Sequence, residues 1–279
     1  MSDASRLVIL HNHLFKNAGT TIDWSLGREL GSAFVDHRDD AGMQQGARYL
    51  EGYLRDNPAM AGLSTHHLTF PLPEIVGVRL AVLTMFRHPI ERVTSVYAFE
   101  RKQVTSRNPG PVKAREATLA DYIEWRLEPL VGPTIRNFHV IKCLPPRALP
   151  LDPPDSSEFA QALAFARSVD LLGIVERFDE SMVLFEEALR PHFPRIDLSY
   201  VAQNVGQSAA LSGAQRIAEL REAIGDALFA RLEAVNAPDL ALYAAVVDEF
   251  DRRFAALPQG ADRLAEFRVR CERRRNAEG

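Results

Sequence analysis

The chain has 279 residues, long enough to bury a large core as one large α/β domain or two small ones. Hydrophobic residues make up 46% and charged residues 25%, an ordinary balance for a soluble globular protein, and a net charge of −4 supplies no global attraction for nucleic acid. Cys143 and Cys271 are the only cysteines, which excludes a disulfide framework and any CxxC metal site and suits a reducing compartment.

Met1 to Arg6 are polar, with no basic segment leading into an apolar one, and no apolar run approaches the roughly 18 residues of a membrane helix. The expectation is a cytoplasmic protein without a membrane span. Leu7-Val8-Ile9-Leu10 reads as a first strand, followed by the loop His13-Leu-Phe-Lys-Asn-Ala-Gly-Thr-Thr21 and by helical periodicity at Ile22, Ser25, Leu26 and Leu30. Ala33-Phe34-Val35 reads as a short strand, Ala41 to Arg55 as a helix ended by Asn57-Pro58, and Met60 to Thr65 as a strand running into His66-His67. Val78 to Phe86 reads as a buried strand of the parallel type, then Arg87-His88-Pro89 opens an amphipathic helix marked by Ile90, Val93, Val96 and Tyr97.

Residues 105–117, with Asn108-Pro109-Gly110-Pro111, read as a mobile loop, and Leu119 to Leu127 as a helix. Residues 145–156 carry five prolines and read as irregular. A short helix around Phe159 to Ala166, a strand from Asp170 to Val175 and a helix from Phe178 to Leu189 follow. Pro191 to Gln207 reads as a second long irregular segment. The C-terminal third reads as helical, with stripes at Ile217, Leu220, Ile224 and Leu228 and at Leu240, Tyr243, Val247, Phe250 and Phe254. Alternating strands and helices predict a central, mostly parallel sheet flanked by helices, as one domain over 1–258, with 259–279 as a basic helix or tail. Its Arg268 to Arg275 stretch reads as a solvated, fraying helix end.

The loop at 13–21 has the ingredients of an anion site. A helix N-terminus offers unpartnered N–H groups and partial positive charge; Lys16 adds a full charge, Gly19 permits close approach, and Thr20 and Thr21 add hydroxyls. The alternative is an ordinary βα turn capped by Thr20, with Asp23 completing a capping-box-like pair. Arg87, followed by Arg92 and Ser95 on the next helix, could hold a phosphate, or simply cap the sheet and line a helix face. His66 and His67 adjoin at a strand end, so one of them at most faces a site there, where it could serve as a general base. His66 and His67 taken together with His11 and His13 lack recognisable ligand spacing, so no metal is expected. All three segments follow strands, where open parallel sheets bind ligands. A P-loop kinase fits less well, because Lys16 precedes Gly19 and the strand at 78–86 delivers Arg87 rather than a Mg²⁺-binding Asp.

These segments resemble the heparan sulfate 2-O-sulfotransferase-like carbohydrate sulfotransferases, whose bacterial members carry the first signature as His-Ile-Pro-Lys-Thr-Ala-Gly-Thr-Thr. The second signature, an Arg-Asp-Pro-hydrophobic-Glu-Arg run with Ser eight residues after its first Arg, stands here as Arg87-His-Pro-Ile-Glu-Arg-Val-Thr-Ser95. Weaker similarities follow at Leu172 to Asp179, Asn204 to Ser208 and Asn236 to Tyr243, so the resemblance spans about residues 6 to 245. It implies a P-loop-like three-layer fold and a sulfotransferase using PAPS (3′-phosphoadenylyl sulfate) as donor. Lys16, Asn17, Ala18, Gly19, Thr20 and Thr21 would cradle the 5′-phosphosulfate, and Arg87 with Ser95 would hold the 3′-phosphate. Thr65-His66 matches the family's Gly-His pair and gives His66 the role of catalytic base, with Lys16 assisting the leaving group. The chain departs from the family at Phe15, Asn17, Thr65 and His88. The implied acceptor is a hydroxyl, of a saccharide in the first instance, and the loops at 105–117, 145–156 and 191–207 are expected to shape its cleft. Arg136, after a Gly-Pro turn, could reach the nucleotide or an anionic acceptor. The remaining alternative is a nucleotide- or anion-binding protein without transferase activity.

Overall fold

Leu7, Val8, Ile9 and Leu10 are all buried, as befits a strand covered on both faces, and they lie at the centre of the sheet. The computed structural model describes residues 5–146, 153–203 and 212–278. Strands β1 (Arg6–Asn12), β2 (Phe34–Asp36), β3 (Gly62–Thr65), β4 (Val78–Phe86) and β5 (Leu171–Ile174) form one sheet in the order β2-β3-β1-β4-β5. Every neighbouring pair is parallel, so the sheet expected to be mostly parallel is parallel throughout. Helices flank it, and the C-terminal region is helical, as the sequence predicts. No helix among the described residues is long and apolar enough to cross a membrane.

Contacts group the described residues into two units interleaved along the chain, one within Met1–Phe86, Phe165–Asn204 and Val246–Gly279, the other within Arg87–Ala164 and Val205–Ala245. In the first, helices α1 (Gly19–Leu30), α2 (Asp40–Met43) and α3 (Ala47–Asp56) lie in the β1–β3 segment. The single helix expected over Ala41 to Arg55 is broken, because Gly46 adopts φ 84, a left-handed angle that a helix interior cannot hold.

In the second unit α4 (Pro89–Arg101) is followed by α5 (Pro109–Glu116), α6 (Leu119–Arg126) and α7 (Phe138–Lys142). The expected loop at 105–117 is therefore corrected. Pro109 occupies the first helical turn, where a missing N–H costs nothing, so the Asn-Pro-Gly-Pro run starts a helix instead of preventing one. Arg136 is buried and donates to the carbonyls of Arg126, Pro129 and Val131, which corrects the expectation that it reaches a ligand. Glu100, Tyr122 and Arg126 form a buried hydrogen-bonded group, with Tyr122 donating to Glu100 over 2.7 Å.

Helix α8 (Ser156–Ser168) leads to β5, after which α9 (Phe178–Leu189) packs back on that strand. The chain closes with α10 (Gly213–Ile224), α11 (Asp226–Val235), α12 (Ala237–Ala255) and α13 (Gly260–Glu278). Residues 147–152 of the expected irregular segment and Asn204 to Ser208 lie outside the described residues. The first unit's core joins Leu7, Ile9, Ile22, Leu26, Leu83 and Phe185 to Phe267 and Cys271 of α13. The arginine-rich end is thus docked, not solvated. Phe267, Arg270, Cys271 and Arg274 share one helical face, on which Arg270 pairs with the buried carboxylate of Glu186 and Arg274 with Asp197.

Candidate functional site

The carboxyl ends of β1 and β3 are level, since Asn12 is in register with Thr65, and β4, whose Thr84 pairs with Asn12, runs on to Phe86. The connection from β1 runs to β2 on one side, and the chain from β4 proceeds to β5 on the other, so the crevice beyond β1 and β4 is a topological switch point. The 13–21 loop leaves β1 there. Lys16 and Ala18 are left-handed, with φ 64 and 61, on either side of Asn17, which is not. Alternation of this kind turns successive N–H groups toward one concavity and suits an anion. Left-handed backbone costs a non-glycine residue on the order of 1 kcal/mol, so the loop must be held from outside. Asn17 does this: it is buried, and its side-chain amide donates to the Met85 carbonyl of β4 over 2.7 Å.

Helix α1 starts without a side-chain cap. Its N-cap is Ala18, Thr20 is exposed, and the Thr20–Asp23 capping pair weighed as an alternative does not form. Thr21 is buried, and its hydroxyl accepts from the Gln203 N–H at 3.2 Å. Gly19 is helical, and its need for glycine has a different source from the one expected: a Cβ there would overlap the imidazole of His13.

Asp23 is instead turned toward β1. Its carboxylate lies 2.6 Å from Nδ1 of His11 and 2.8 Å from Nδ1 of His13, the second contact being close but poorly aligned as a hydrogen bond. Burial pushes the Asp23 carboxyl up, but the charge and hydrogen bonds of the two imidazoles outweigh it and hold the group far below the usual carboxylate range. The ring of His13 stacks on His11 at 5.0 Å and meets His66 at 4.1 Å. His66 Nδ1 lies 2.8 Å from the His13 carbonyl. A carbonyl only accepts, so Nδ1 carries the proton and Nε2 keeps its lone pair. Burial, and next the neighbouring His13, depress the His66 pKa below its ordinary value, so this imidazole is neutral near pH 7.

His67 is placed differently. Its ring lies 3.3 Å from Gln44 and 3.4 Å from Asp40, both exposed, and its backbone N–H donates to the Thr65 hydroxyl. The geometry therefore separates the two adjacent histidines. Lys16 is half-buried in the loop. Arg87 and Ser95 belong to the second unit, both half-buried; Arg87 is the residue directly after β4, and Ser95 lies in the second turn of α4. Arg92 is almost fully buried, lies over the Phe138 ring at 3.8 Å and donates to the Thr134 carbonyl; burial lowers its pKa to about 9.

Sequence reasoning missed the His11–His13–Asp23 group. The available signal was the His-x-His spacing at the end of a strand, which puts both rings on one face. Among the described residues this is the one grouping whose ligand atoms, all within 4.8 Å of one another, could converge on a cation. As it stands, both Nδ1 atoms face the Asp23 carboxylate.

No protein-family model matches the chain. A protein of Archaeoglobus fulgidus named only as an uncharacterized protein is similar to it, with 28% identity over 256 residues that cover 90% of this chain and the whole of that protein.

Proposed function

We propose that the protein is a sulfotransferase that moves a sulfuryl group from PAPS to an acceptor hydroxyl, with a saccharide as the acceptor class. One observation carries the reading: an uncapped helix start, entered through the left-handed residues Lys16 and Ala18, and a neutral histidine with a committed Nδ1 both lie at the carboxyl edge of the central strands. The backbone N–H groups of the α1 start and Lys16 would hold the 5′-phosphosulfate and stabilise the negative charge of the departing nucleotide. The family resemblance gives the 3′-phosphate to Arg87 and Ser95. Bound in this way, PAPS supplies the sulfuryl group for in-line transfer. His66 Nε2 takes the acceptor's hydroxyl proton as the oxygen attacks.

The test is thermal unfolding with and without PAP, the desulfated nucleotide, in wild type and Lys16→Ala. At a hundredfold excess over Kd, selective binding to the native state adds about 2.7 kcal/mol of stability. A raised Tm in wild type that Lys16→Ala abolishes is the expected result. No shift at millimolar PAP would overturn the reading.

A further inference from the structure

We propose that Asp23 and His13 are positioning residues that fix His66 at a set distance from the start of α1. The inference rests on the reading of His66 as the base, but its geometry stands independently. His13 is held on four sides. Its ring fills the space that any side chain at residue 19 would need, stacks on His11 at 5.0 Å and 20°, and leans on His66 at 4.1 Å, while its Nδ1 faces Asp23 at 2.8 Å. Asp23 is in turn anchored by His11 at 2.6 Å, and His11 Nδ1 lies 3.1 Å from the buried Ser64 hydroxyl of β3.

Two consequences follow for His66. Its Nδ1 proton is held by the His13 carbonyl, which fixes the tautomer, and its ring cannot slide toward Gly19 because the His13 imidazole occupies that space. The separation between the proton acceptor and the anion-binding helix start is therefore set by a spacer ring that Asp23 clamps. A displacement of about 1 Å at such a point can cost roughly a hundredfold in rate, so a spacer of this kind is useful to an in-line transfer. Asp23 and His13 act through His66, and are positioning groups for that reason.

The groups that act on His66 electrostatically are His13, at the end of β1, Arg38, after β2, and Asp23, on α1. His13 and Arg38 oppose protonation of His66; Asp23 favours it. Replacing Asp23 with the isosteric, uncharged Asn removes the one favourable charge, so the His66 pKa should fall further. His13→Asn leaves a side-chain amide near Asp23 and removes the spacer ring.

The experiment is nitrogen-15 NMR of the histidine rings across pH, in wild type, Asp23→Asn and His13→Asn, with PAP-induced stabilisation measured on the same samples. Wild type should show His66 as a single tautomer protonated at Nδ1. Asp23→Asn should lower the His66 pKa, and His13→Asn, which keeps the backbone carbonyl but removes the imidazole that opposes protonation, should raise it without changing the tautomer. A His66 pKa unchanged in both folded variants would overturn the proposal. So would failure of both variants to fold, judged by circular dichroism, since the cluster would then be a folding element. The ring signals need no turnover, so loss of PAP binding in wild type would count against the sulfotransferase reading alone.

Discussion

His66 and His67 are neighbours in sequence and differ in what surrounds them. His66 is packed against His13 with Nδ1 committed to a backbone carbonyl, whereas His67 reaches out to exposed Gln44 and Asp40. His66→Ala should keep PAP binding and lose on the order of 10²- to 10⁴-fold in transfer rate, while His67→Ala should stay within a few-fold; single-turnover assays with radiolabelled PAPS read both. Equal losses in the two variants would refute the assignment. Acid should also weaken the fold here. Burial depresses the pKa values of both His13 and His66 in the folded state, so the unfolded chain binds protons more readily. The stability they contribute is present above the ordinary histidine value of about 6.5 and is lost as pH falls through their lower folded values. The Tm should therefore drop between pH 7 and pH 5, and drop less in His66→Gln; a pH-independent Tm would contradict these environments. The 13–21 motif was legible residue by residue, but the partners of Asp23 were not. A helix carboxylate three residues after Thr20 reads locally as a cap, and only the sheet brings His11 and His13 close enough to compete for it.

At the scale of elements, β1 and β4 were readable as continuous apolar runs and the long helices by their helical stripes, while the short β2 and β3 left a weaker signal. The errors fell where one residue type has two uses. Proline in Asn108-Pro109-Gly110-Pro111 reads as a loop former but begins α5. Arginine in the last helix reads as solvated, yet α13 lies along α9 with Phe267 fully buried and Arg270 bonded to both oxygens of Glu186. Glu186 is 2% exposed, so removing Arg270 leaves a buried carboxylate held by the Leu198 N–H and by Arg190 at 3.6 Å, without its closest charge partner. Arg270→Ala should cost about 2 kcal/mol, below the usual loss for breaking a buried pair because Arg270 itself is about a third exposed. Urea unfolding measures it, and a change under 0.5 kcal/mol would mean that α13 is not held there.

For the molecule as a whole, the parallel α/β architecture and the position of the switch point followed from alternation of strands and helices plus the order of pairing. The sequence supplied the first of these, while the pairing order needed the structure. The loop signatures suggested chemistry, yet motifs cannot specify which surface receives the acceptor, because the loops that shape such surfaces carry no readable code.

One long-range contact has a temporal side. The short helix α7 takes its first turn's bonds from far along the chain: Asn236 accepts from the Asn137 N–H at 2.9 Å, and Asp239 accepts from His139 and Val140 at 3.0 and 2.8 Å. Five residues are too few to hold a helix in water unaided. During synthesis this turn must therefore wait for about a hundred further residues to emerge before it can set. The Asn236-Ala-Pro-Asp239 segment acts as a late clasp, closing a region whose other parts were made long before. Amide exchange at His139 and Val140 should be slow in the intact protein and fast in Asp239→Ala. Equal protection in both would show that the turn sets without its clasp.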